Sequence, residues 1–218
     1  LTDYYIILLL IIFQGFIGWY MVQSGLSNDV TVSHYRLSLH LLIAIIILSM
    51  IFWKILNIKQ ENIKFFFELN KKNIPYLILI TFLFLQIFFG ALVSGLDAGK
   101  IYQTWPLMGN HFFPDDIEIK HIKDLIDFNS HSLVQFFHRA IAYLISIYIL
   151  ILTFNIFKKN DQKLYRPILI VLSILLIQVI LGISTLISGL NIILASSHQF
   201  FSIILILTTI NLYYTAIK

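Results

Sequence analysis

The sequence contains no cysteine. Disulfides, thiolate-held iron–sulfur clusters and a covalent c-type haem attachment are therefore excluded, and any metal must be held by histidine, carboxylate or amide. Charge is also scarce. Asp, Glu, Lys and Arg make up 12% of the 218 residues and hydrophobic residues 59%, where a soluble domain carries about 25% and about 45–50%. An integral membrane protein is expected. From Pro167 to Ile217 no Asp, Glu, Lys or Arg occurs at all.

What is present is a series of long apolar runs, each near the roughly 20 residues that a helix needs to cross a bilayer core. They predict spans over Tyr4–Val22, Arg36–Trp53, Pro75–Leu96 and Ser130–Phe157, then two more between Pro167 and Ile217, broken at Ser188-Gly189-Leu190-Asn191. Pro75 suits a helix start, because its missing N–H would have no helical partner there. The connection from Lys54 to Asn73 carries five lysines. Residues 97–129 form a long loop, and loops of that length tend to be functional. The predicted fold is an all-α integral membrane protein with six transmembrane helices.

The charges orient it. Six spans put both ends of the numbered chain on one side, and that side holds ten of the 15 basic residues and four of the 11 acidic ones. Lys/Arg excess marks the cytoplasmic face, or the matrix face in a mitochondrion. The formal net charge of +4 thus reflects topology and gives no case for nucleic-acid binding.

Ionisable side chains inside spans mark functional sites. Val134-Gln-Phe-Phe-His138-Arg139 places an imidazole and a guanidinium within one span, His198 lies in the last span, and His40 in the second. All three histidines fall in the outer half of the bilayer. A repeat connects them: Gln14 and Gly18, Gln86 and Gly90, and Gln178 and Gly182 are each four residues apart, hence on one helical face. Each pair is followed by Ser-Gly-Leu, at 24–26, 94–96 and 188–190, and then by a span carrying a histidine. The unit is a helical hairpin. Two hairpins make a four-helix bundle able to hold one bis-histidine haem, so His138 and His198 are the expected iron ligands. Helices three to six read as a complete bundle and helices one and two as half of a homologous one. Residues 1–73 and 74–218 are the corresponding domains. His40 has no visible partner.

The Gln/Gly faces are expected to pack helices together, glycine for close approach and glutamine for a hydrogen bond, with the lining of a porphyrin as the alternative. Arg139 could snorkel outward or pair with a haem propionate, and Arg36 sits similarly near the outer face. His34, His111, His121 and His131 read as solvated. The first residue is Leu, and Leu1-Thr-Asp3 enters a span directly, so the numbered chain is expected to begin inside a longer protein.

The outer loop opens with Ser94-Gly-Leu-Asp97-Ala-Gly99-Lys-Ile-Tyr102-Gln-Thr-Trp-Pro106-Leu-Met108-Gly. It resembles the Gly-Leu-Asp-Ala-Gly…Tyr…Pro…Met motif of the haem A synthases, of the mitochondrial and alphaproteobacterial type. The segments Gln14–Leu26, Tyr35–His40, Gln135–Arg139, Gln178–Leu186 and His198-Gln199 are similar to that family's segments, in its order. The lack of cysteines also fits this type. The resemblance implies eight helices in two pseudo-symmetric halves and oxidation of a haem O methyl to the formyl of haem A, with water as oxygen source, for cytochrome oxidase assembly. It further implies that His138 and His198 hold a haem b and that His40 is one ligand of the substrate haem O. The family's glutamate-rich helix ending in His-Arg has no counterpart here, so the partner of His40 and the catalytic glutamate are not assigned.

By the same resemblance the partners are haem O and haem A, the lipid bilayer, an electron donor or acceptor, a cooperating haem O synthase and a further copy of the chain. The membrane would be the bacterial inner membrane, or the mitochondrial inner membrane in a eukaryote. Two other readings compete. One is a bis-histidine membrane cytochrome b that relays electrons; it needs haems at depths on both sides, whereas the histidines here all face outward. The other is a transporter with a His/Arg-lined path, which favours helices broken near the midplane; the glycines here lie mainly at outer turns.

Overall fold

A computed structural model describes residues 2–25, 31–58, 65–67, 69–118 and 121–217. The end of the first Ser-Gly-Leu turn, at Leu26, and much of the polar connection after Lys54 lie outside the described residues. Among the described residues six α-helices occur: α1 (Thr2–Val22), α2 (His34–Asn57), α3 (Ile74–Gly95), α4 (His131–Lys158), α5 (Tyr165–Ile187) and α6 (Ile192–Ala216). All six are long and apolar enough to cross a membrane. No β-strand occurs among these residues, only an isolated bridge between Met108 and His111.

Local chemistry sets the ends of the helices. Ser130 caps α4 by accepting from the Leu133 amide at 3.3 Å. Asn191 caps α6 by accepting from Ile193 and Leu194, which satisfies amides that have no partner in the first turn. The break between α5 and α6 falls where the sequence places it. Gly189 and Leu190 both take positive φ, 71° and 65°, and the Leu190 amide returns to the Thr185 carbonyl at 2.9 Å. Glycine enters that region freely and leucine does not.

Packing follows chain order. α3 contacts α4, α4 contacts α5, α5 contacts α6, and α6 closes back onto α3. Leu79, Leu92, Val134, Ile149, Ile168 and Ile210 are fully buried between these four helices. Because lipid is as apolar as leucine, such contacts hold the bundle by close packing and not by escape from water. α1 and α2 form a further hairpin. α2 lies against α3 and α6, while α1 meets α2 and leaves a broad face of large apolar side chains, Leu9 and Ile12 among them, uncovered.

At the end of the bundle away from the histidines, Trp53 of α2 stacks on Tyr213 of α6 with ring centres 5.6 Å apart. Tyr214 donates to Asn57 Oδ1 at 3.3 Å. The polar ends of these rings find acceptors where the helices leave the bilayer, as aromatic side chains at membrane interfaces do.

Candidate functional site

Each hairpin builds the same seat for an imidazole. His40, His138 and His198 are the seventh, eighth and seventh residues of α2, α4 and α6, so all three rings lie at one depth. In every case the ring is pressed against the glycine of the preceding helix. A Cβ added at Gly18 would stand 3.1 Å from His40 Cε1, one at Gly90 3.2 Å from His138 Cε1, and one at Gly182 2.9 Å from His198 Cε1. Only glycine leaves the space.

The glutamine one turn earlier holds the ring's nitrogens. Gln14 Nε2 donates to the His40 carbonyl at 2.9 Å and lies 3.3 Å from its Nε2. Gln86 Nε2 approaches His138 Nδ1 at 3.1 Å. His198 Nδ1 donates to the Gln178 backbone carbonyl at 3.1 Å, with Gln178 Nε2 donating to the ring's Nε2 at 3.4 Å. The Gln/Gly repeat therefore does more than join helices. It orients three histidines, whereas the sequence points to interhelical packing or to the lining of a porphyrin.

Two of the three rings meet. His138 and His198, from helices that both descend from the outer side, have ring centres 6.5 Å apart and planes at 81°. Two imidazole nitrogens each bonded to one metal ion at about 2 Å place their ring centres at a separation of this order. Among the described residues there is no group of three or more His, Cys, Asp or Glu that could hold a bare ion. A pair of facing imidazoles would suit a metal that brings its other ligands with it, as a porphyrin does.

The nitrogens fit as well. The His198 tautomer with Nδ1–H on a carbonyl puts the lone pair on Nε2, the arrangement metal-binding histidines take; the Gln178 amide that donates to it at 3.4 Å must turn aside for a metal to reach it. The Gln14, Gln86 and Gln178 Oε1 atoms are all buried without a partner. Amide orientation is assigned from the hydrogen-bond network, and turning the Gln86 amide over brings Oε1 to accept His138 Nδ1–H and frees that ring's Nε2. The residues present thus fit a bis-imidazole haem at His138 and His198. His40 sits apart in its own hairpin, with Nδ1 buried and unpaired.

Both arginines are engaged by the protein. The Arg139 guanidinium donates to the carbonyls of Tyr102 at 2.7 Å, Thr104 at 2.9 Å and Leu107 at 3.3 Å. Gln135, one turn before it, also donates to the Tyr102 carbonyl at 2.9 Å. These bonds clip the first part of the outer loop over the end of the bundle beside His138. Arg36 donates to the Tyr20 carbonyl at 2.7 Å and lies 3.7 Å above that residue's ring, a cation–π contact inside the first hairpin.

The loop has a second tie. Asp116 accepts from Tyr102 and from Ser132 of α4, both at 2.7 Å. Burial pushes its carboxyl up, but the bonds from Ser132, Tyr102 and its own amide outweigh that and hold it below the usual range. The Tyr102 phenol is correspondingly raised by its bond to Asp116, with burial adding to it. Gly99, within the loop motif, lies under Leu190; a Cβ there would stand 2.7 Å from Leu190 Cδ2, so the motif packs on the α5–α6 turn.

The remaining histidines divide. His111 pairs with Asp115 at 2.5 Å, His121 caps the short 3₁₀ turn Ile122–Ile126, and His131 is exposed, all compatible with solvated positions. His34 is different. It is the first residue of α2, its Nε2 is buried without a partner, and it lines a cavity of about 370 Å³ with Ser24, Asp97 and His131.

These features define a membrane protein in which, among the described residues, six helices form repeated Gln/Gly hairpins that mount histidines at one depth. Residues 2–210 match the family described as cytochrome oxidase assembly protein, and the chain belongs to that family. It is 45% identical over 205 residues to the Heme A synthase of Pelagibacter ubique (strain HTCC1062), covering 94% of this chain and 60% of the relative. It is 42% identical over 212 residues to that of Rickettsia bellii (strain OSU 85-389), covering 94% and 62%, and 39% identical over 217 residues to that of Rickettsia canadensis (strain McKiel), covering 98% and 64%. The chain thus spans about three fifths of the length of these curated relatives.

Proposed function

We propose that the protein is a haem A synthase, an oxidoreductase that converts a methyl group of haem O to the formyl group of haem A with water as oxygen source, for cytochrome oxidase assembly. The observation that carries the reading is the 6.5 Å approach of His138 and His198, each ring seated by a glutamine and a glycine, in a chain about 40–45% identical to curated relatives of that name.

In this reading His138 and His198 would hold a haem b in the unit formed by residues 74–218. His40 is a ligand of substrate haem O in the unit to which residues 1–73 contribute. Haem b, when bound, supplies one-electron redox capacity. The chain's own contribution is positional: Gln86 and the Gln178 carbonyl fix which imidazole nitrogen is free, the glycines fix the ring planes, and the loop held by Arg139 shields the outer end from water. Arg139 retains N–H groups beyond the three carbonyl bonds, since a guanidinium carries five, and these serve a haem propionate. Arg36 does the same for the substrate haem. An electron acceptor, the haem O synthase that makes the substrate and a second copy of the chain are the partners, in a bacterial inner membrane or the mitochondrial inner membrane.

Extraction and chromatography of haem from the full-length protein purified from membranes tests the proposal. The parent is expected to carry haem b with some haem O or A, and a His138→Ala/His198→Ala variant to lose the haem b. Haem b alone, retained without any formyl-bearing haem during turnover, would favour the alternative of a bis-histidine cytochrome b that relays electrons. A colourless parent would overturn both.

A further inference from the structure

The face opposite the histidines holds a cavity that the haem reading does not use. It measures about 730 Å³ and opens between the start of α3, the end of α4 and the turn into α5. Its wall combines two chemistries. Leu152, Ile156, Leu164 and Tyr76 line it and are buried, a hydrocarbon surface continuous with the bundle core. At its rim stand Lys71, Lys72 and Lys159, all exposed and none in an ion pair with a described residue. Among the described residues Asp161 is the one carboxylate lining it. Three cations against one anion leave the mouth net positive.

Position selects the occupant. Lys71 and Lys72 stand just before Asn73, the N-cap of α3, whose N-terminus adds a partial positive charge. This end of the bundle is the side with the lysine excess, and basic pockets between helices on that side bind the head groups of anionic lipids. α4 supports the geometry. At 28 residues it is longer than the roughly 20 that cross a bilayer, so its last turn, which carries Asn155 and leads into Lys159 at its C-cap, forms a wall at head-group level.

We propose that this cavity binds an anionic phospholipid of the inner leaflet, of the phosphatidylglycerol type, with the phosphodiester between Lys71, Lys72 and Lys159 and the upper acyl carbons against Leu152 and Ile156. Asp161 selects within that class. It accepts hydrogen bonds from a hydroxylated head group and repels a phosphomonoester, which carries more negative charge. A zwitterionic lipid forfeits the excess of cations. The proposal stands independently of the haem chemistry.

The test uses the full-length protein in nanodiscs of equal phosphatidylglycerol and phosphatidylcholine, with retained lipid counted by native mass spectrometry after release. The parent is expected to keep phosphatidylglycerol over phosphatidylcholine by tenfold or more. After release only a lysine in contact with the retained lipid counts, at about fivefold each, so Lys71→Ala/Lys72→Ala/Lys159→Ala together should cost roughly a hundredfold. A matched control, Lys158→Ala/Lys163→Ala/Arg166→Ala, removes as much charge from the same face outside the cavity and should change retention by no more than about threefold.

Equal retention of the two lipids by the parent would overturn the proposal whether or not the variants fold. So would equal losses in the two triple variants, which would mean diffuse surface attraction. Inorganic phosphate binding the lipid-depleted protein as tightly as phosphatidylglycerol would refute the acyl half of the site, and preferential retention of phosphatidylethanolamine in a matched nanodisc would refute the charge assignment.

Discussion

Arg139 and Tyr102 lie 37 residues apart and meet side chain to backbone, the guanidinium donating to the Tyr102 carbonyl at 2.7 Å. The same guanidinium reaches the carbonyls of Thr104 and Leu107. One cation next in sequence to His138 thereby sets the path of the loop that crosses the bundle's outer end.

Replacing Arg139 with alanine should release that loop. Hydrogen bonds to a charged donor contribute about 1.5–3 kcal/mol each, and water partly replaces them at this partly exposed position, so a net loss on the order of 2–3 kcal/mol is expected. Amide exchange over Tyr102–Leu107 should quicken while exchange within α5 stays as it was. Lysine should not rescue it, because an ammonium lacks the planar fork that spans several carbonyls at once. Unchanged exchange in the alanine variant would rule out the clip.

The three seat glycines make a ranked series. Alanine at Gly182 should be the most damaging, since its Cβ would stand 2.9 Å from the His198 ring, followed by Gly18 at 3.1 Å and Gly90 at 3.2 Å. Overpacking of this kind costs about 1–3 kcal/mol. Gly15→Ala is the internal control, with nothing within 4 Å of its Cβ. Haem retention and the ligand-field spectrum of the full-length protein report the order, and a Gly15 variant as damaged as Gly182 would sink the explanation.

Glutamine removal should act unequally. Gln178→Leu keeps the backbone carbonyl that accepts from His198 Nδ1, so the ring retains its tautomer. Gln86→Leu takes away the hydrogen-bonding side chain that meets the His138 nitrogens. Outer partners of metal-bound histidines are worth about 10–100-fold in affinity or activity, and that loss should fall on the Gln86 variant. Haem titration of the two variants side by side distinguishes them.

The Asp116 tie carries a pH signature. Its folded carboxyl lies below the ordinary value of 3.8, so its contribution is fully present above that value and fades as pH falls through the depressed one. Tyr102 lies above the ordinary phenol value of 10.0; its contribution is complete below that value and is lost as pH rises through the raised one. Loop protection should therefore be level between about pH 5 and 9 and fall at both ends. Tyr102→Phe should abolish the alkaline fall and leave the acid one, held by Ser132, in place. Exchange rates across Tyr102–Asp116 against pH supply the check.

Much of this architecture was legible in the chain. Spans are legible because a bilayer demands about 20 apolar residues in a row, and the hairpin repeat because Gln and Gly recur four apart on one face. What those residues touch was not, since nothing local says that Gly90 faces His138, 48 positions later. The Ser-Gly-Leu turns show the limit most clearly. Written alike, two of them fold differently: Gly95 ends α3 in helical conformation, and a Cβ on it would meet His34 at 2.8 Å, whereas Gly189 takes φ 71°. His34 reads as a loop residue because the approach of α2 to α3 that encloses it has no sequence signature.

Each imidazole seat is complete within two consecutive helices, first the glutamine and glycine, then the histidine. A lesion in one seat should for that reason stay local. Damage at Gly182 would spare the ring of His40, whose neighbours Gln14 and Gly18 belong to another hairpin. The seats are in this sense modular, and the facing of His138 with His198 is where two of them must be held in register.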